Sequence, residues 1–226
     1  MQQPAPAEQA GQPPAAAPAR RTLRDHQRDY TRKRLLTAGR ELFERNGYAA
    51  TKVDDIAAAA DASKATVYAY FKTKVELLLA LWEGVDADFE RRYQDLDQIL
   101  FGGARPSRGK VRAWLATQLE FWKENGKLID ATRQARAVEP AMAGVDENVT
   151  GANCIDCMTR FLARDPGRRE LNRQRAVLTE RMTSDTFEQL SIGNLKVDED
   201  VVLDLLTDQW WMVFRSAPTR ASSHGS

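Results

Sequence analysis

Residues 52–71, "KVDDIAAAADASKATVYAYF", leave this chain few options, because two short helical patterns stand there with about two residues between them. The first is alanine-rich and carries Val53, Ile56, Ala57 and Ala60 at helical spacing. Thr51, three residues before Asp54, is placed to cap it with an acid in the first turn. Asp61-Ala62 breaks the pattern, and Ser63 caps a helix expected over 63–71. Helices this short do not persist alone in water, so each must lie against something larger. A helix ending near 60, a two-residue turn and a helix from 63 have the spacing of a helix-turn-helix.

The flanks supply the support. Leu35, Ala38, Gly39, Leu42 and Phe43 recur at helical spacing and stop at Asn46-Gly47, which predicts a first helix over about 29–46. Thr73 with Glu76 forms a capping box that opens a fourth helix, expected over 73–100. On the third helix the spacing puts Val67, Phe71 and the near edge of Tyr68 on the core side. Ala65, Thr66, Ala69 and Tyr70 are then expected to face outward, small side chains around one ring.

The remainder also reads as helices. Gly102-Gly103 and Pro106 precede a helix capped by Ser107, and Gly126 and Pro140 mark expected breaks. Asp165-Pro166-Gly167 is a loop signal, followed by helices expected over 168–192 and 198–215 with a break at Gly193-Asn194. No segment alternates apolar and polar residues convincingly, so the fold class is all-α. The tail 1–19, rich in Pro, Ala and Gln, reads as disordered. The expected division is a helix-turn-helix unit over 20–72, a larger helical bundle over 73–217 and a flexible tail over 218–226.

Charge follows that division. Residues 20–82 hold 13 Lys and Arg against 8 Asp and Glu, whereas residues 83–226 hold 20 against 23. A basic first third on a mildly acidic body suits a polyanion-binding module attached to a part that binds something else. No apolar run approaches the roughly 18 residues a membrane span needs, and no signal peptide opens the chain, so a cytoplasmic protein is expected. The two histidines, His26 and His224, fall in segments that read as tails. No nucleophile–base pair, phosphate loop, cofactor motif or metal-ligand set stands out, and an enzyme is not expected.

The run "LLTAGRELFERNGYAATKVDDIAAAADASKATVYAYFKTKVELLLAL" resembles the DNA-binding motif of the TetR family of transcriptional repressors nearly end to end. Asp61 stands where that family usually has Gly, and Ala65 where a small residue, often Gly, opens the recognition helix. The resemblance implies a homodimer whose recognition helices enter successive major grooves of a palindromic DNA operator. It also implies a carboxy-terminal domain that dimerises and binds a small-molecule effector, whose arrival releases the operator.

Helix starts favour anions, and hydroxyl or cationic side chains there strengthen the attraction. Thr51 and Lys52, Ser63 and Lys64, and Thr73 and Lys74 begin three successive helices; Thr51, Lys52, Ser63, Lys64, Lys74 and Tyr68 are candidates for phosphates, with ordinary capping as the other reading. Base reading falls to Ala65, Thr66 and Tyr70. Arg20, Arg21 and Arg24 read either as a minor-groove arm or as a solvated basic stretch.

The segments "ATRQARAVEP", "LTERM" and "TDQWWMVF" resemble the carboxy-terminal domain of the EthR-like branch of that family, which implies an apolar tunnel near Trp122, Asn153, Thr179, Glu180 and Trp210. Plain core packing is the competing reading of those aromatics. Asp146 and Asn153 stand where that branch often has aromatics, which argues against a purely apolar ligand. Cys154 and Cys157, i and i+3 on an expected helix, leave an alternative in which the regulator senses oxidants through its thiols. Leu171, Val177, Leu178, Leu190, Val202, Leu205, Leu206, Trp210 and Phe214 of the last two long helices exceed what one helix pair buries and point to a four-helix seam between two chains, with packing inside one chain as the other reading.

Overall fold

A computed structural model describes residues 22–102, 106–142, 149–162 and 166–215. Both tails, Arg20 and Arg21, Gly103, Asp146 and Asp165 lie outside the described residues. Among those residues the chain forms eight helices and no strand: α1 (Leu23–Ala50), α2 (Val53–Ala59), α3 (Lys64–Tyr70), α4 (Lys74–Phe101), α5 (Arg108–Val138), α6 (Val149–Leu162), α7 (Arg169–Ser191) and α8 (Glu199–Arg215). The fold is all-α, a helix-turn-helix followed by a larger helical part. Among the described residues no helix is long and apolar enough to cross a membrane.

α1 begins about six residues earlier than its apolar stripe predicts. Thr22 accepts a hydrogen bond from the Asp25 N–H at 3.3 Å, and the Asp25 carboxylate accepts one from the Thr22 N–H at 2.8 Å, a reciprocal cap. The added turns are charged and exposed, so periodicity has nothing to detect there. The stripe itself, Leu35, Ala38, Gly39, Leu42 and Phe43, is buried throughout. Gly47 at φ 76° breaks the helix where its sequence predicts, and a β-carbon there would also strike the Gln134 amide.

α2 ends in a Schellman turn. The Ala62 N–H donates to the Ala57 carbonyl at 2.9 Å, and the Asp61 N–H to the Ala58 carbonyl at 3.1 Å. Asp61 occupies the left-handed position at φ 45°, which Asp tolerates better than most residues. From α1, the Arg34 guanidinium donates to the Ala60 and Asp61 carbonyls and lies 3.3 Å from the Asp61 carboxylate, tying the turn down.

α5 is the central strut, packing against α1, α4, α7 and α8. Gly126 was expected to break a helix, yet it lies buried inside α5: its missing side chain admits Ser191, the last residue of α7, which a β-carbon would displace. Arg112 reaches Asp200 at 2.8 Å and Asp204 at 2.7 Å, Arg108 reaches Asp208 at 2.6 Å, and Lys123 reaches Glu199 at 3.0 Å. These exposed pairs set the register of α8 along α5 more than they stabilise it.

Candidate nucleic-acid interface and interior cavity

The outward face of α3 is built by what its other face must bury. Val67 and Phe71 enter the core, and Tyr70 packs against it half-buried. Lys64, Ala65, Tyr68 and Ala69 are exposed, with Tyr68 at 45%. This corrects the expected roles of the two tyrosines. Tyr70 sits three residues after Val67 and shares its face, whereas Tyr68 lies about 100° away and points to solvent. The outward aromatic is Tyr68. Thr66 is half-buried; its N–H donates to the Ser63 Oγ at 3.0 Å and its hydroxyl lies 2.8 Å from that oxygen. Ser63 therefore caps α3 as its sequence predicts and remains exposed.

Two of the expected phosphate ligands are used inside the protein. Thr51 is 1% exposed and donates its hydroxyl to the Leu42 and Gly47 carbonyls at 3.2 and 2.7 Å. It follows α1 rather than capping α2, whose N-cap is Lys52, with no side-chain hydrogen bond. Lys74 turns inward: its ammonium donates to the Tyr48 carbonyl at 2.8 Å and the Thr51 carbonyl at 3.0 Å, and lies 3.9 Å from the Tyr48 ring centre. Burial lowers its pKa, and the nearby Glu139 carboxylate opposes that. Both side chains donate to carbonyls on either side of the break at Gly47.

Lys74→Ala removes two charge-assisted hydrogen bonds and is expected to cost about 1–3 kcal/mol of stability. Urea denaturation checks it, and an unchanged midpoint would show the ammonium is dispensable to the fold.

Lys52 is exposed at the uncapped start of α2, and Lys72, which sequence reasoning passed over, is exposed just before α4. Lys64 pairs with Asp54 across the turn at 2.9 Å, an exposed contact whose hydrogen bond raises the lysine pKa. Water and salt weaken such a pair, so the ammonium can exchange Asp54 for another anion. Lys52, Ser63, Lys64 and Lys72 thus stand exposed at the starts of three helices, and Ala65, Tyr68 and Ala69 are exposed on α3. Arg24 of the expected arm lies within α1, so the chain is helical at that point.

The segment behind this face is held by α5. The Tyr48 N–H donates to the Gln134 Oε1 at 3.0 Å and the Tyr48 hydroxyl to Glu139 at 2.7 Å, while Arg40 donates to the Glu124 carbonyl at 2.8 Å and the Asn125 Oδ1 at 3.0 Å. Burial and the Glu139 hydrogen bond push the Tyr48 phenol up.

The same helix reaches a cavity of about 20 Å³ among α4, α5, α6, α7 and α8. That is room for about one or two waters. Of the expected effector residues, Trp122, Glu180 and Trp210 line it. Thr179 is buried beside it, its carbonyl accepting the Thr183 hydroxyl at 2.7 Å. Of Asn153 only the backbone within α6 is described. Sequence reasoning missed Phe89, Tyr93, Trp114, Gln118 and Phe187, which also form the lining. Their rings fill the interior, so a compact cavity stands here in place of the elongated tunnel that the EthR-like likeness implies. Burial raises the Glu180 carboxyl pKa, opposed by a 2.6 Å hydrogen bond from the Ser184 hydroxyl.

Both cysteines are buried. Burial drives Cys154 well above the ordinary thiol value, and burial followed by Asp97 raises Cys157 to about 12. Nucleophilic thiols carry depressed values, so the geometry lends the redox alternative no support.

The described residues thus join a basic, small-residue helix face on a helix-turn-helix to a helical bundle with an interior cavity. Residues 35–81 match the family described as bacterial regulatory proteins, tetR family. That match spans the end of α1, the helix-turn-helix and the start of α4. The chain is 27% identical over 146 residues to the HTH-type transcriptional activator FasR of Mycolicibacterium smegmatis, 62% of each chain, and 36% identical over 92 residues to the transcriptional regulator AcuR of Cereibacter sphaeroides, 41% of each. The chain thus spans less than two thirds of the length of these curated relatives. The crystal structure of a TetR-like transcriptional regulator from Rhodococcus sp. RHA1 shares the fold at a TM-score of 0.62 and 22% identity, over 82% of this chain and 96% of that one.

Proposed function

We propose that this protein is a cytoplasmic regulator that binds a palindromic DNA operator as a homodimer and is released by a small-molecule effector, with residues 20–72 contacting DNA and 73–217 sensing and dimerising. The observation that carries this reading is the division of α3: Val67, Tyr70 and Phe71 turn inward, which leaves Lys64, Ala65, Tyr68 and Ala69 exposed, as are Lys52 and Lys72. Small residues let the helix approach base edges closely while the lysines and helix starts meet phosphates. Apolar contact to thymine methyls suits Ala65 and Ala69, and the Tyr68 hydroxyl suits a base edge or phosphate.

Support for a dimer lies on α7 and α8, where Leu171, Leu178 and Met182, and Val201, Leu205 and Met212, are exposed. Val202, Leu206, Trp210 and Phe214 are spent inside the chain. The outer set is what a second copy would cover. Support for release lies in α5, whose middle carries Trp114, Gln118 and Trp122 at the cavity and whose end holds Tyr48 through Gln134 and Glu139. A ligand that shifts α5 moves the segment from which α2 and α3 hang.

Selection of bound duplexes from a random pool is the test. An enriched inverted repeat, with half-sites one or more helical turns apart, is the expected result. Tyr68→Ala should weaken that operator by about 1–3 kcal/mol at unchanged melting temperature, whereas Tyr70→Ala should lower the melting temperature. No enrichment at any ionic strength would reject the reading.

A further inference from the structure

Two carboxylates on α7 receive opposite treatment. Glu188 is 7% exposed and pairs with Arg133 of α5. Glu180, about two turns earlier, is 8% exposed, and among the described residues no Lys, Arg or His forms an ion pair with it. It accepts the Ser184 hydroxyl and lines the cavity. The rest of that lining is uncharged side chains and a buried thiol, with rings from Phe89, Tyr93, Trp114, Trp122 and Trp210. Trp114 and Trp210 stand 5.0 Å apart between centroids, and Phe89 meets Trp122 edge-on at 6.4 Å.

An ionised carboxylate in such a place is costly unless a proton or a cation neutralises it. Aromatic faces present negative charge to whatever enters and favour cations over neutral groups of the same shape. Arg181, the next residue on α7, draws the Glu180 pKa down without pairing with it, whereas Glu188 has Arg133 as a direct partner. We infer that the cavity receives the ammonium head group of a small organic amine, with Glu180 as its counter-ion and the surrounding rings as its cage. The cavity volume of about 20 Å³ holds one or two water-sized groups, so a primary ammonium fits as it stands, and a trimethylammonium head or a tail must move side chains aside. The inference rests on the reading of this cavity as the effector site and adds the ligand's chemical class.

Trp114, Trp122 and Trp210 make the test direct, because a cation against indole changes its fluorescence. The full-length protein is titrated with n-butylammonium against 1-butanol, and with choline against 3,3-dimethylbutan-1-ol, by tryptophan fluorescence and calorimetry. Expected is a preference of about tenfold or more for the cation in at least one pair. Glu180→Gln should erase that preference and leave the melting temperature unchanged or higher, since a carboxyl whose pKa rises on folding opposes folding once ionised. Equal binding of cation and alcohol, no binding of either up to about 10 mM, or a preference that survives in Glu180→Gln overturns the inference. Operator binding by the unliganded protein separates this from the regulator reading. A chain that binds duplex but no amine sinks only the cage, and one that binds amine but no duplex sinks only the regulator.

Discussion

Trp210→Ala is expected to destabilise the protein by about 3–5 kcal/mol, the range for deleting a buried indole that its neighbours cannot replace. The side chain is 1% exposed. Its ring tilts against Trp114 at 5.0 Å and meets Phe214 edge-on at 5.7 Å, and its Nε1–H donates to the Thr183 Oγ at 2.8 Å. That hydroxyl donates in turn to the Thr179 carbonyl, so the substitution also strips a buried acceptor of its donor. The ion pairs of Arg108, Arg112 and Lys123 set the register of α8 along α5 but, being exposed, resist collapse into the void only weakly. Guanidinium denaturation should show a lower midpoint at unchanged slope. A loss under about 1 kcal/mol would mean that the bundle closes around the void and that its core is far more plastic than its packing implies.

Features written in local spacing were legible in the sequence, and those decided by distant partners were not. Ser63, Thr73 and Ser107 each cap the helix that follows, because a capping oxygen and the N–H that donates to it lie within three residues. Gly47 and Asp61 mark left-handed turns for the same local reason. Thr51 and Lys74 also read as helix starts, but their partners are carbonyls near the kink at Gly47, up to 26 residues away in the chain. Gly126 reads as a breaker until Ser191, on another helix, occupies the space of its missing side chain. The exchange between Tyr68 and Tyr70 was within reach of helical geometry, since Tyr70 is 60° from Val67 and Tyr68 is 100°. In the cavity, Trp122 and Trp210 were expected from the sequence and Trp114 was not. That Glu180 has no direct ionic partner among the described residues is evident only against Glu188 and its arginine.

Salt is expected to have the largest effect on the binding of DNA. With about 6–10 phosphates neutralised by the two heads of a dimer, affinity should fall by about 10³–10⁵ between 50 and 200 mM salt, as condensed counterions are released. The slope can be divided among residues, and the lysines near α3 make that division informative. Lys52 and Lys72 are exposed, and Lys64 holds only an exposed, screened partner in Asp54. Replacing any one of them with Ala should weaken binding to all sequences about equally and reduce the slope by about two, one phosphate per head. Lys74→Ala should leave the slope unchanged even where it lowers affinity through the fold, because its ammonium is held by the Tyr48 and Thr51 carbonyls. Fluorescence anisotropy against salt for the four variants measures this. A slope that drops for Lys74 and stays fixed for Lys52, Lys64 and Lys72 would place the phosphates at the start of α4, away from the face that Tyr68 presents.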